Sequence, residues 1–195
     1  MNEIILNNRV FNLPNDIGEL PLKSFFEVMR VLENMPKDDT IDDLKFIEIL
    51  EVFVGDIDDV LVSDLDVLGE EVSKLITKFE MPTQVETHFE CEGRTYLTRN
   101  VNGMSELSTG EYISIKVYQD KFNNDLFSYA PYVLAILCRP CMKIYDGETN
   151  EEKWVQEPFN KKDIDNLEWR ADFFLNRVPA KNIWPVLNFF LNMKG

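Results

Sequence analysis

The sequence predicts an α+β protein, mainly helical, in which two similar hairpin-plus-helices units pack together, with an irregular excursion and two C-terminal helices. Three observations predict this fold class. Short β-prone runs flank turn-forming pairs near the start of each half of the chain. Longer stretches carry apolar residues at the spacing of a helix face. Finally, helical segments of the two halves align with apolar residues in register.

The first unit, residues 1–81, is predicted to hold a hairpin and three helices. The hairpin turns at Asn7-Asn8, because asparagine tolerates the backbone conformation that a tight turn needs. Helices are predicted over residues 22–32, 44–54 and 63–79. Gly55 is a typical helix terminator, and the side chains of Ser63 and Asp64 are expected to cap the third helix.

The second unit, residues 82–195, is predicted to begin in the same way. A hairpin over 85–97 would turn at Glu92-Gly93, followed by helices around 107–118 and 132–137. The insertion 142–162 is polar and rich in turn residues, so we expect an irregular excursion there. Two closing helices are predicted over residues 164–177 and 180–193.

An alignment of the two units suggests an ancient tandem repeat. It places Tyr112 on Phe25, Ile113 on Phe26 and Ile115 on Val28. One such unit could hardly bury its apolar face alone, whereas two stacked units could. The alternative is that two unrelated amphipathic segments share a period.

Charge limits the classes of partner. The chain has 20 Lys and Arg against 35 Asp and Glu, a net charge of −15. Residues 1–80 carry 7 basic and 19 acidic side chains, so most of the excess lies in the first unit. Such a surface repels phosphate backbones and anionic lipid, so we expect neither nucleic-acid nor membrane binding. The acidic first unit would instead steer basic protein surfaces.

The hydrophobic pattern and the cysteine count of the sequence indicate where the protein is located and in which redox environment. The chain has no apolar run long enough to cross a bilayer and lacks the residue order of a signal peptide at its start. Its three cysteines are an odd number and fit a reducing compartment. We therefore expect a cytoplasmic location, while the oligomeric state stays open.

The sharpest chemical motif is Cys138-Arg139-Pro140-Cys141, a C-x-x-C pair. A disulfide oxidoreductase places the first cysteine at a helix N-terminus, where amides stabilise the thiolate. Here both cysteines follow an apolar helix, so we expect them to be small packing residues. A thiol-redox or zinc-dependent protein that uses Cys138 and Cys141 remains the alternative.

Metal sites are not favoured. His88 and Cys91 could complete a Cys3His zinc set, but their odd spacing in a predicted strand points them to opposite faces. The acidic stretch 56–66 lacks the glycine and the oxygen ligands of a calcium loop. We expect no catalytic residues, no metal and no cofactor, and therefore a protein that is not an enzyme.

Aromatic residues of the second unit are the candidate partner-binding residues. Adjacent aromatics on one helix cannot both face a narrow seam, so some should be exposed as anchors. The candidates are Trp154, Trp169, Trp184, Phe189 and Phe190.

A recognisable order of short segments runs through the second unit: Gly93–Tyr96, Leu107–Ile113, Leu134–Leu137 with Arg139-Pro140, Tyr145–Gly147, Phe173-Phe174 and Phe189–Leu191. This order resembles small acidic proteins of tailed bacteriophages, in particular those infecting Bacteroidota, the crAss-like phages among them. The first unit, with Phe46–Leu50 and Val54–Ile57, is similar to tail-assembly-chaperone-like proteins. The chain departs from the pattern at Cys138 and Cys141, where an aromatic or aliphatic residue is expected.

The resemblance implies a role in virion morphogenesis through binding of other phage structural proteins. The protein would be either a tail or virion assembly chaperone or a small structural subunit. It would act in the host cytoplasm during assembly, and a subunit would stay in the virion. A third possibility is an anti-host factor that mimics nucleic acid with its acidic face.

Overall fold

The computed structural model describes residues 2–34, 43–80, 88–98, 107–147, 150–183 and 186. The chain divides into two compact units, Met1–Glu80 and Met81–Gly195. Both combine helices with antiparallel strands, so the predicted α+β, mainly helical class is confirmed. No helix in the described ranges has the length and apolar character needed to span a bilayer.

The first unit begins with the predicted hairpin. Strands β1 (Asn2–Leu6) and β2 (Arg9–Leu13) pair antiparallel. Asn7 and Asn8 form the turn with φ of 46° and 66°, and two positive φ values give the twist that a two-residue hairpin needs. A short 3-10 helix follows at Ile17–Glu19.

Three helices complete this unit: α1 (Leu22–Glu33), α2 (Asp43–Val54) and α3 (Val62–Lys78). Each was predicted to within a few residues, and α2 ends just before Gly55, whose φ is 80°. The capping prediction for α3 is wrong. The helix begins one residue earlier than expected, so Ser63 and Asp64 lie inside its first turn and no side chain caps it. Asp64 instead accepts a hydrogen bond from the Asn7 side chain at 2.5 Å.

The second unit contains a four-stranded antiparallel sheet in the order β3-β4-β5-β6. Its strands are β3 (His88–Cys91), β4 (Arg94–Thr98), β5 (Cys138–Asp146) and β6 (Glu151–Gln156). Its helices are α4 (Thr109–Lys121), α5 (Leu126–Leu137) and α6 (Ile164–Arg177). The hairpin at Glu92-Gly93 is confirmed, whereas residues 85–87 lie outside the described part.

The first closing helix corresponds to α6. Of the second, residues 180–183 and 186 are helical, and the rest of the predicted span 180–193 lies outside the described residues.

The expected irregular excursion over 142–162 is wrong for most of its length. Residues up to Asp146 continue β5, and Glu151–Gln156 forms β6, paired with it from Cys141↔Gln156 to Asp146↔Glu151. The polar residues of this segment include side chains of opposite charge that face each other across the hairpin. Lys143 Nζ lies 3.2 Å from a Glu152 oxygen, and Lys153 Nζ lies 2.6 Å from an Asp146 oxygen. Cross-strand pairs of this kind stabilise a strand that composition alone disfavours.

The proposed repeat agrees with the order of elements but only in part with the packing. Each unit opens with a hairpin followed by two helices. Phe25 and Phe26 are buried, whereas their aligned partners Tyr112 and Ile113 are 40% and 46% exposed. The buried face of α4 is instead set by Glu111, Ile115 and Tyr118. Of the three aligned pairs, only Val28 and Ile115 are buried in both helices.

The core of the second unit lies between one face of the sheet and helices α5 and α6. The Tyr96 ring stacks on Phe89 and Phe173, with centroids 5.4 and 5.7 Å away, and meets Phe174 edge-on. Helix α5 is apolar on nearly all sides, and residues 129–131 and 133–137 are buried. The ring contacts join β3 and β4 to α6, and α5 packs against α6.

Candidate functional site

Two of the five aromatic candidates lie in the described part of the chain. Trp169, on α6, is 51% exposed and stacks on Phe173 with the ring centroids 5.5 Å apart. Trp154, on β6, is half-buried between the His88 ring, 5.2 Å away, and the Lys143 ammonium, 5.3 Å away. They contact different neighbours and do not form one site. Trp184, Phe189 and Phe190 lie outside the described residues.

An uncovered apolar surface, here called the hairpin face, lies on β5 and β6. Tyr96 pairs with Pro140, and Met142 pairs with Val155. Because residues two apart in a strand share a face, Met142 and Ile144 lie on the same side of the sheet as the buried Tyr96. Met142 is 64% exposed, and Ile144 and Val155 are also exposed. The core-facing side of the sheet thus extends beyond the buried core as exposed apolar surface.

A second candidate surface is the cavity between α2 and α3, here called the α2–α3 groove, with a volume of about 670 Å³. Its floor is apolar and its α3 side is polar. The lining residues are Phe46, Ile47, Leu50, Leu65, Asp66, Gly69, Glu70, Ser73 and Lys74.

Gly69 shapes this groove. A Cβ at Gly69 would lie 2.8 Å from Cε1 of Phe46, so the Phe46 ring occupies the space that a larger side chain at position 69 would need. Asp66 and Glu70 are exposed on the same helix, whereas Lys74 is paired with Glu71 at 2.6 Å. In a unit with a large excess of acidic residues, this arrangement favours an apolar ligand that carries positive charge.

The described residues bury three charged side chains: Glu111, Arg139 and Arg170. Glu111 follows Ser108, which caps α4, and the two form a reciprocal capping box. Arg139 Nη1 lies 2.8 Å from Glu111 Oε1. Arg139 also donates to Gln156 Oε1 at 2.8 Å, to the Glu157 carbonyl at 2.7 Å and to the Ile136 carbonyl.

Electrostatics keep Glu111 ionised. Burial by itself raises the pKa of this carboxyl, but hydrogen bonds from Arg139 and Ser108, together with the Arg139 charge, lower the pKa below its ordinary value. A carboxylate held ionised in this way is a poor proton shuttle near neutral pH. The pair therefore suits a structural role, joining the start of α4 to the end of α5.

The C-x-x-C cysteines do not face each other. Cys138 and Cys141 are three residues apart in β5, so their side chains leave opposite faces of the strand. Cys138 is fully buried, and burial raises the pKa of its thiol to about 12. Cys141 is half-buried, and its sulfur lies 3.5 Å from the Thr95 carbonyl oxygen. This geometry disfavours thiol-redox chemistry, which needs a low-pKa thiol beside its partner.

The zinc alternative gains no support from geometry. His88 and Cys91 alternate across β3, and Cys91 Sγ lies 3.8 Å from the Arg177 carbonyl oxygen. Within the described ranges, no three or more His, Cys, Asp or Glu side chains are grouped so that they could hold a metal ion. In the acidic stretch, Asp56 Oδ1 accepts the Asp58 backbone N–H at 3.0 Å, which is an ordinary turn contact.

The sequence reasoning missed both the groove and the buried Glu111–Arg139 pair. Gly69 was the available signal for the groove, because glycine inside a helix often marks a close approach of another group. For the ion pair, the sequence Ser108-x-x-Glu111 signals a cap but says nothing of Arg139.

Comparison of the chain with protein-family models, with curated proteins and with solved structures finds no match. Its function must therefore be inferred from its own residues and their arrangement.

Proposed function

We propose that this protein acts without catalysis, by binding other proteins during the assembly of phage particles. It would serve as a tail or virion assembly chaperone or as a small structural subunit, in the host cytoplasm while particles form. The phage assignment is supported by the resemblance of the segments quoted above. The binding role is supported chiefly by the α2–α3 groove, with its apolar floor and acidic rim.

The groove suits an amphipathic partner helix that carries lysine or arginine. Phe46, Ile47 and Leu65 are half-buried and would lose their remaining exposure against the apolar face of such a helix. Asp66 and Glu70 would meet its basic residues, and the excess of acidic residues in the unit would speed the encounter. The partner's chemistry is therefore apolar and basic, which excludes nucleic acid as its occupant.

The test is a charge reversal on the groove rim, Asp66→Lys with Glu70→Lys. Both side chains are exposed, so the fold should tolerate the change. The matched control is Glu48→Lys with Glu51→Lys, which makes the same change of charge on exposed positions of α2 that do not line the groove. Each tagged protein is recovered from phage-infected cells, and co-purifying proteins are identified by mass spectrometry.

We expect the parent and the control to retain the same phage structural proteins and the rim variant to lose them. Recovery of only host proteins, or equal recovery by all three, would contradict the proposal. Quantitative mass spectrometry of purified particles then separates the two roles. A fixed integer copy number per particle indicates a subunit, and presence only in the lysate indicates a chaperone.

A further inference from the structure

Arg170 is a buried cation without a buried counter-charge in the described part of the chain. Only 6% of the residue is exposed. Among the described residues the one buried carboxylate is Glu111, which already pairs with Arg139. In the same part of the chain, the acid within ion-pair distance of Arg170 is Glu157. Its side chain is half exposed, and its Oε2 lies 3.8 Å from Nη2, beyond hydrogen-bond distance.

The hydrogen bonds of Arg170 leave one edge of its guanidinium unpaired. Nη1 donates to the Ala135 carbonyl at 3.0 Å. Nε is buried and donates to no atom of the described residues. The Nε and Nη2 donors lie side by side and point the same way, which is the geometry that grips both oxygens of one carboxylate. Once Glu157 is displaced, this unpaired edge is suited to bidentate binding of a carboxylate.

Arg170 lines a small cavity on the second unit. Its walls are Arg139, the segment 157–160, and Asp163, Asn166 and Leu167 from the start of α6. The volume is about 260 Å³, which fits a small acid or a single functional group and not a drug-sized ligand. Glu157 and Asp163 in the lining would repel a doubly charged phosphate more strongly than a singly charged carboxylate.

We propose that this cavity is a binding site for a carboxylate group, gripped by Nε and Nη2 of Arg170, with Glu157 as the internal competitor that the ligand displaces. Burial lowers the pKa of Arg170, and the charge of Glu157 opposes this effect, as expected for a cation that lacks a close counter-charge. The site does not depend on the proposed function. The carboxylate can come from a free small acid or from a peptide.

Acetate is the first probe, followed through the NMR signal of the Arg170 Nε–H group. Sodium acetate is titrated into ¹⁵N-labelled protein against sodium chloride at equal ionic strength. We expect a saturable shift of this signal with acetate and none with chloride. Equal movement with both salts would overturn the proposal, and saturation by inorganic phosphate in place of acetate would overturn the assignment to carboxylate.

Three variants sharpen the test. Arg170→Lys keeps the positive charge but removes the paired Nε and Nη2 donors. Saturable acetate binding, followed through the NMR signal of the Asn166 amide, should therefore be lost. Arg177→Lys is the matched control, because Arg177 lies on the same helix but is exposed, and it should bind acetate like the parent. Glu157→Gln removes the competitor from a half-exposed position and should tighten binding by roughly two- to fivefold, the usual worth of an exposed ion pair.

The Glu157→Gln result stands even if Arg170→Lys fails to fold. Unchanged affinity in that variant would mean that Glu157 does not compete for the unpaired edge of Arg170 and would contradict the proposal. A tetrapeptide with a free C-terminus, compared with its amide, identifies the source of the carboxylate. Saturable binding of the free form alone assigns a peptide terminus, whereas binding of acetate without either peptide assigns a free small acid.

Discussion

Glu111 and Arg139 form a buried ion pair in which the two carboxylate oxygens have separate partners. Oε1 lies 2.8 Å from Arg139 Nη1, and Oε2 accepts the Ser108 backbone N–H at 2.8 Å. The first contact reaches Arg139 at the start of β5, and the second closes the first turn of α4. One side chain thus ties together elements that are far apart along the chain.

Arg139→Leu should destabilise the second unit by about 3–5 kcal/mol, because the buried carboxylate of Glu111 would lose the positive charge of Arg139. Urea unfolding followed by tryptophan fluorescence measures this, since all three tryptophans lie in that unit. The control is Arg177→Leu, which removes an exposed arginine 3.9 Å from Glu92 and should cost no more than about 1 kcal/mol. A similar loss of unfolding free energy in the two variants would show that the buried pair stabilises the unit no more than an exposed ion pair does.

Glu111→Gln should make a pH-dependent difference to stability. The folded-state pKa of Glu111 is lowered, so its contribution is full above the unfolded-state value of about 4.3 and is lost as the pH falls through the lower folded-state value. The free-energy gap between parent and variant should therefore be largest at neutral pH and shrink below about pH 4. Unfolding curves across this pH range measure the free-energy gap, and a gap that does not change with pH would contradict a lowered pKa of Glu111 in the folded protein.

Local signals in the sequence were enough for the hairpins and most helices. Asn7, Asn8 and Gly93 take the positive φ that their turns require, and asparagine and glycine tolerate this conformation better than other residues. The hairpin of β5 and β6 could not be predicted in this way. Its charged residues disfavour a strand until Lys143 meets Glu152 and Lys153 meets Asp146, and those pairs exist only once the register is set.

The candidate sites were harder to predict because they depend on contacts between distant segments. The groove requires Gly69 of α3 to meet Phe46 of α2, and the ion pair requires α4 to reach the end of α5. The aromatic content of the sequence drew attention to Trp169, which is exposed in the structure. It gave no information on which apolar surface lacks a covering element. That information comes from tertiary packing.

Cys138 should be inert to thiol reagents in the folded protein. Its sulfur is buried and its pKa is about 12, so almost no thiolate forms at pH 8. Brief iodoacetamide labelling followed by peptide mass spectrometry should modify Cys91 and Cys141 before Cys138. All three should react in denaturant, which serves as the control. Fast labelling of Cys138, or a reversible Cys138–Cys141 disulfide, would revive the thiol-redox alternative.

Met142→Lys with Ile144→Thr should reduce self-association at high concentration without loss of stability. Both side chains are exposed on the hairpin face, so the unfolding free energy should change by less than about 0.5 kcal/mol. Exposed apolar patches drive association, and a polar replacement lowers that tendency. Light scattering as a function of concentration measures it. Ile164→Lys, at an exposed apolar position at the start of α6, is the control and should have a smaller effect.

Tyr96→Phe should leave the second unit as stable as the parent or make it more stable by up to about 1 kcal/mol. The Tyr96 ring is fully buried, but its hydroxyl has no hydrogen-bond partner among the described residues. An unsatisfied buried hydroxyl costs desolvation energy that phenylalanine avoids. Tyr96→Ala, which empties the aromatic cluster, should instead cost about 3–5 kcal/mol. A clear loss of stability in Tyr96→Phe, measured by the same urea unfolding, would show that the hydroxyl is hydrogen-bonded after all, for example through a buried water.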